Sequence, residues 1–532
     1  MRHLRHQSWM RLGLVSLTLL GLLAAFSQVG GSVKAAASPV SASSLGDNDE
    51  DGPNPIVKEN RHPGSDLWQV PNAGFQVADD IGLQIKGFAG TASTRPGGQI
   101  DLKVTVTPAQ DFQVDILRLG FYQAHGARLL EHLGPIHGIQ QEPCTTEPVT
   151  RMLSCDWKSS VKLHVSEDWL SGVYVAVLSS ADKFQSLIPF WVVDDIRHSD
   201  LLFLSSLNTY EAYNDFPYDP PPSDPQGLPL TGHSLYDFNS ANGIPATKVS
   251  FDRPFKAEFG GPGDGGVYDF EPELIAFLEQ NGYDVSYAPD PVLDQNPSIL
   301  LHHRAVVIGG HAEYWTMAAY DGAIAARAHG VGLAFISANE IYWQVRYEKN
   351  EDGVPRRVMV GYKGFEPDPV HDPKLRTIRW RDLGRPEQKL IGVQFPVDGN
   401  QNFGGQPFVP MDTDHWVYTG SGLRDGVPVK VEAVGYEIDN FDSAVGLPEG
   451  TEHTFLDSSP FLNFNNIPYI HNSSIYRGKG GNWVWATGSM NWSWTLSPGG
   501  TTTGLSNVSL PLQIVTRNVL NRMIHDGPSR ED

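Results

Sequence analysis

The sequence predicts an α/β domain built on a mostly parallel sheet, preceded by an all-β sandwich domain. Three observations carry this. Before Asp195 the chain reads as short strands between turns, and Ile100 to Thr107 alternates strictly between apolar and polar residues. After Asp195 short apolar runs without polar alternation are separated by helical patterns, the pattern of a parallel sheet covered on both faces. The runs Val173–Leu178 and Leu187–Val193 are also continuously apolar, bounded by Gly, Ser, Pro and Asp, and close the sandwich region.

In chain order, residues 1–37 read as a signal peptide. Arg2, Arg5 and Arg11 precede an apolar run from Leu12 to Phe26, and Ala35-Ala36-Ala37 offers a cleavage site. The run is short for a bilayer span and no later stretch reaches that length, so a secreted or extracytoplasmic protein without a transmembrane helix is expected. Residues 38–65, rich in Ser, Asp, Asn, Pro and Gly, read as a disordered linker with nothing to pack a core. The sandwich is assigned to 66–195 and the α/β domain to 196–525. In the latter, Leu201–Leu204 is a buried strand, and Phe270, Leu274, Phe277 and Leu278 mark a helix from Asp269 to Asn281-Gly282. A strand follows at Asp284–Tyr287, another at Ala305–Ile308, then a helix from Thr316 to Ala328 and a strand at Gly332–Ile336. From Gly361 to Ile524 the chain is Gly- and Trp-rich and reads as β-rich elaboration of the same domain.

With 39 Lys+Arg against 61 Asp+Glu, the net charge is −22. That argues against nucleic-acid binding by phosphate neutralisation and against docking on anionic membranes. The two cysteines, Cys144 and Cys155, exclude a disulfide-framework fold, a four-cysteine zinc site and an iron–sulfur protein. In an exported chain they are expected to form a structural disulfide.

Ligands of open parallel sheets bind outside the carboxyl ends of the strands. Three such ends carry polar and aromatic residues: Asn208 to Asn214, Gly309 to Trp315, and Ser337 to Glu340. Gly309-Gly310 permits close backbone approach at the second of them. There is no Gly-x-Ser-x-Gly, His-Glu-x-x-His or Walker motif. Gly261–Gly266 matches the dinucleotide fingerprint formally but follows no buried strand and reads as a turn. His302 and His303 lie at the wrong end of their strand and read as surface residues. Asp412, Asp414 and His415 are a candidate metal cluster, weighed against a loop of hydrogen-bonding carboxylates.

The motifs Gly-His-Ala-Glu-Tyr-Trp-Thr (310–316), Thr-Tyr-Glu-Ala-Tyr-Asn (209–214), Ser-Leu-Tyr (234–236), Val-Gly-Tyr-Glu (434–437), His-Trp-Val-Tyr-Thr-Gly-Ser-Gly-Leu (415–423) and Gly-Ser-Met-Asn-Trp-Ser-Trp (488–494) resemble the C-terminal domain of the large (beta) subunit in the N,N-dimethylformamidase family. The stretch Ile116–Tyr122 with Gly126-Ala127-Arg128 resembles the β-rich region that precedes that domain. The resemblance implies a glutamine-amidotransferase-like α/β fold in which His-x-Glu replaces the nucleophilic Cys turn. It implies a mononuclear Fe(III) held by Tyr213, Tyr236 and Glu313, hard oxygen donors suited to a hard cation. It places His311 and Asn339 as orienting groups near the metal and Glu437 as general base.

Tyr210 stands where the family usually has Trp, and a proline-rich segment separates Tyr213 from Tyr236. The family enzyme works with a small partner subunit, so such a subunit, or a homo-oligomer, stays open. The expected function is an exported, iron-dependent hydrolase of non-peptide C–N bonds acting on a small-molecule amide. The rivals are a non-catalytic secreted or cell-surface binding protein using the sandwich, and a hydrolase using another metal at the same site.

Overall fold

The computed structural model describes residues 54–225, 227–256, 270–398, 405–463, 465–498 and 507–529. The expected signal peptide, the first part of the expected linker and the Gly261–Gly266 turn lie outside them. Among the described residues no helix is long and apolar enough to cross a membrane.

Two sheets precede Asp195. One has the order Gln76–Val77, Phe184–Val192, Gly172–Ser180, Asp111–Leu119, Ala127–His137, with Ser93–Thr94 also beside Phe184–Val192. The other joins Ile85–Ala89, Gln99–Val106 and Val161–His164. Ile100, Leu102, Val104 and Val106, the apolar face of the alternating strand, pack with Tyr174, Ala176, Leu178 and Phe190 of the larger sheet. The intervening Val173, Val175 and Val177, with Trp191 and Val193, belong instead to the core of the following α/β region. The larger sheet is therefore buried on both faces, which is why its two long strands show no polar alternation. Cys144 and Cys155 are joined in a disulfide.

The α/β region is built on strands β1 (Leu201–Ser205), β2 (Val285–Pro289), β3 (Ala305–Ile308), β4 (Gly332–Phe335), β5 (Gly450–Phe455), β6 (Ser474–Gly478) and β7 (Trp483–Ala486). Their order is β2-β1-β3-β4-β7-β6-β5. The pairings from β2 through β7 are parallel, and β6 and β5 add antiparallel. The chain leaves β1 for β2 on one side and returns to β3 on the other, so the carboxyl ends of β1 and β3 flank the topological switch point.

Five helices position the site or brace the sheet: α1 (Pro55–Glu59), α2 (Leu207–Tyr213), α3 (Glu271–Gln280), α4 (Met317–Ala328) and α5 (Leu510–Asp526). The stretch from Gly361 onward is more than an elaboration. It supplies three strands of the central sheet and α5, whose Leu512, Val515, Val519, Leu520 and Met523 are buried at helical spacing.

The expected linker also ends in structure. Asn54 caps α1, its side-chain oxygen accepting from Ile56 N at 2.9 Å, and its amide donates to Gly282 O at 2.9 Å. Ile56 is 1% exposed. Asn60 donates to Glu279 Oε2 and accepts from the backbone of Phe121 and Tyr122. Polar side chains anchor this segment through specific hydrogen bonds, a kind of order that low hydrophobicity does not report.

Glu279, in the last turn of α3, is the hub between the two regions. It receives Arg118 Nη2 at 2.8 Å and Nη1 at 3.2 Å, Tyr287 Oη at 2.8 Å and Asn60 Nδ2 at 2.8 Å. A Cβ on Gly120 would strike its carboxylate. The 116–122 motif is thus the joint on which the larger sheet meets α3. Breaking this buried pair leaves a charge without its partner. Glu279→Ala is expected to lower stability by about 3–5 kcal/mol in urea denaturation.

His303 is a correction. It is 2% exposed, with Nδ1 3.1 Å from the carbonyl oxygen of Ser199. Burial keeps its imidazole neutral and pushes it down to about 3. Between pH 6.5 and 3 the unfolded chain then binds a proton that the folded chain does not, so this group's contribution to stability falls as pH falls through that window. The slope of unfolding free energy against pH between 6.5 and 4 should be shallower in His303→Gln than in the wild-type chain.

Candidate functional site

At the end of β1 the backbone turns at once into α2, and buried carboxylates hold the turn. Glu271 accepts from Ser205 Oγ at 2.7 Å, from Ser206 N at 3.0 Å and from the Tyr210 hydroxyl. Asp290 accepts from Asn208 N at 3.0 Å. At the end of β3, Gly310 has φ +74, and a Cβ there would lie 2.5 Å from Tyr210 Oη. Glycine is therefore required by both backbone and space. That close approach brings the β3 loop onto α2, and Glu313 N donates to Thr209 Oγ1 at 3.1 Å.

Glu313 is the centre of the resulting cluster. Tyr213 Oη donates to Glu313 Oε2 at 3.1 Å, and Tyr236 Oη lies 2.8 and 2.7 Å from Oε1 and Oε2. Trp343 Nε1 donates to Oε1 at 3.0 Å. The two tyrosine rings stack with centroids 4.1 Å apart. The proline-rich segment between them is docked, because Tyr218 N donates to Asp80 Oδ2 and Asp80 pairs with the buried Lys86 at 2.6 Å.

On the other side of Glu313, His311 Nε2 lies 3.4 Å from Glu313 Oε2 and 3.4 Å from Glu437 Oε2. Its Nδ1 donates to Ala338 O at 2.8 Å. Asn339, at φ +53, follows that carbonyl, with its Oδ1 buried. Five residues named from the sequence, Tyr213, Tyr236, His311, Glu313 and Glu437, therefore meet in one place, and the backbone of the sixth, Asn339, adjoins the carbonyl that holds His311. Burial disfavours charge on His311, but Glu437 and Glu313 outweigh it and push it up to about 10. Burial likewise opposes ionisation of Glu313, and His311 and Lys363 overcome it, holding that carboxyl below its usual range. Burial and the Glu313 charge push the Tyr213 and Tyr236 phenols well up.

Sequence reasoning missed Tyr314 and Lys363. Lys363 Nζ donates to Tyr314 Oη at 2.8 Å, Tyr314 Oη donates to Tyr236 Oη at 2.6 Å, and the Lys363 ammonium stands 3.1 Å from the centroid of the Tyr236 ring. Burial pushes Lys363 down to about 7, opposed by Glu313, Asp237 and Glu437. A signal was present: Val-Gly-Tyr occurs at 360–362 and again at 434–436. Each copy is followed by the charged residue, Lys363 or Glu437, that enters the site.

The alternative metal cluster does not form. Among the described residues no group of three or more His, Cys, Asp or Glu is arranged to hold a metal. Asp412 and Asp414 are exposed, and His415 Nδ1 accepts from Val417 N within its own turn.

Removing the acceptor of Lys363 strands a buried ammonium. Tyr314→Phe should cost about 1–3 kcal/mol in thermal or urea unfolding, and Tyr314→Phe with Lys363→Met should recover part of that loss. Strict additivity of the two changes would show that the pair is not energetically linked.

A family model described as N,N-dimethylformamidase beta subunit-like, C-terminal, matches residues 113–504. The N,N-dimethylformamidase beta subunits of Alcaligenes sp and Paracoccus aminophilus are 27% and 26% identical to the chain over 299 residues, 50% of this chain. The chain spans 38% of the length of each of these relatives. A solved Paenibacillus cycloisomaltooligosaccharide glucanotransferase aligns over 52% of this chain and 57% of its own, at 10% identity and a TM-score of 0.16, a likeness too weak to bear on fold or function. The family match covers both the joint at 116–122 and every residue of the Glu313 cluster, and the chain belongs to the N,N-dimethylformamidase beta subunit-like, C-terminal family.

Proposed function

We propose that the protein is an amide hydrolase that uses Tyr213, Tyr236 and Glu313 to hold a ferric ion and acts on small non-peptide amides outside the cytoplasm. One observation carries the reading: the phenolic oxygens of Tyr213 and Tyr236 lie 2.7–3.1 Å from the Glu313 carboxylate at the switch point of the sheet. These are hard oxygen donors, matched to a hard cation. Two phenolic oxygens and one carboxylate, already converged on one another, are the anionic oxygen set a ferric ion takes, so the donor set fits the group. Bound there, the ion would supply Lewis acidity toward an amide carbonyl.

The rest of the reaction falls to the chain. Glu437 is the general base: it takes a proton from a water whose oxygen bonds to the carbonyl carbon. It returns that proton to the nitrogen as the C–N bond breaks, releasing a carboxylic acid and an amine. His311, 3.4 Å from both Glu313 and Glu437, stands between the ligand set and the base and orients the water. The buried Asn339 amide is suited to position the substrate carbonyl. The order β2-β1-β3-β4, with the site beyond β1 and β3, supports the glutamine-amidotransferase-like comparison with the usual nucleophile turn occupied by Gly310-His311. The curated relatives are named as beta subunits, which supports a further subunit as partner, and the N-terminal Arg and apolar run supports export.

Protein produced with added iron should carry about one iron per chain and absorb visible light through tyrosinate-to-iron charge transfer, and the band should vanish in Tyr236→Phe. Hydrolysis of N,N-dimethylformamide and related amides, followed by amine release, should fall by about 10²–10⁴ in Glu437→Gln with iron retained. Colourless protein without iron would end the iron reading, and stoichiometric zinc would move it to another metal.

A further inference from the structure

The strand Glu437–Asn440 places Glu437 and Asp439 two residues apart, on the same face. Glu437 reaches His311. Asp439, 0% exposed, reaches something else: its Oδ1 accepts from Asn339 N at 2.9 Å. The carbonyl on the other side of that same peptide bond, Ala338 O, is the acceptor of His311 Nδ1 at 2.8 Å. One peptide plane thus has its N–H held by Asp439 and its C=O held by His311. A carbonyl oxygen only accepts, so His311 Nδ1 carries a proton, and Nε2 is the atom turned toward Glu313 and Glu437.

The peptide needs holding. Asn339 sits at φ +53, a region non-glycine residues adopt at a cost and keep only when their surroundings fix them. Asp439 is itself clamped, its N donating to Gly488 O at 2.8 Å and its O accepting from Asn472 N at 3.2 Å. We propose that Asp439 is a positioning residue for the hydrolytic site, acting on His311 through the Ala338–Asn339 peptide: it fixes the aim of the imidazole, much as a carboxylate bonded directly to a histidine does. The peptide plane is the intermediary, and the same contact sets the backbone from which the Asn339 side chain projects. One strand then supplies both the base and the orienter of the histidine beside it.

The inference rests on the hydrolase reading above, and a double-mutant cycle separates the two. Amide hydrolysis is measured in the iron-loaded full chain for wild type, Asp439→Leu, Asp439→Asn, His311→Ala and each Asp439 variant combined with His311→Ala. Asp439→Leu should lower kcat by about 10–100-fold with KM within about threefold and the visible iron band unchanged. Asp439→Asn, which keeps an acceptor oxygen, should recover most of that loss. In the His311→Ala background neither Asp439 change should lower kcat further. Full additivity in the cycle, or loss of the iron band together with activity, overturns the positioning role. If Asp439→Leu does not fold, the Asp439→Asn arm alone decides, since its smaller loss must also vanish without His311. An inactive wild-type chain would instead overturn the hydrolase reading.

Discussion

A carboxylate that is 2% exposed has to be satisfied from every direction, and Glu313 is the residue around which this region is organised. Most of its neighbours come from distant parts of the chain, Tyr213 from α2, Tyr236 from the segment beyond it and Trp343 from the short strand Trp343–Gln344, while His311 comes from its own turn. Each must arrive with its polar atom aimed at the same two oxygens. The carboxylates that staple the α2 turn and the glycine at position 310 serve that demand, because without close approach of the β3 loop to α2 the oxygens would not meet. The cluster is costly to fold because its oxygen atoms are converged with their hydration removed.

The charged groups around this centre come in layers. Lys363 approaches through Tyr314 and over the face of Tyr236, and His311 bridges Glu313 to Glu437. His311 and Lys363 offset part of what burial costs the Glu313 carboxylate. Farther out, the β-rich region before Asp195 bears on the same architecture from two places. Arg118 and Glu279 join it to α3, and Asp80 with Lys86 holds the proline-rich segment that carries the chain from Tyr213 toward Tyr236. The core runs without a break across Asp195, through Val173, Val175, Val177 and Trp191.

The sequence by itself determined a good deal. Unalternated apolar runs at Leu201, Ala305 and Gly332 located three parallel strands, since a strand covered on both faces has no reason to alternate. The residues just past them were candidates because that end of such a sheet is where the crevice lies. Motif likeness then picked out Tyr213, Tyr236, His311, Glu313, Asn339 and Glu437. Local pattern failed where order rests on single polar contacts: the Asn54–Asn60 clip reads as a polar linker, and His303 reads as surface although the fold buries it. Only the tertiary structure decided that the side chains of Tyr213, Tyr236, His311, Glu313 and Glu437 share one centre, that Lys363 and Tyr314 join them, and that Asp439 reaches His311 through the Ala338–Asn339 peptide. Apart from His311, Glu313 and Tyr314, which share one turn, these partners lie tens to hundreds of residues apart, and hydrogen bonds of about 3 Å between them are set by strand order and register, which no local periodicity encodes.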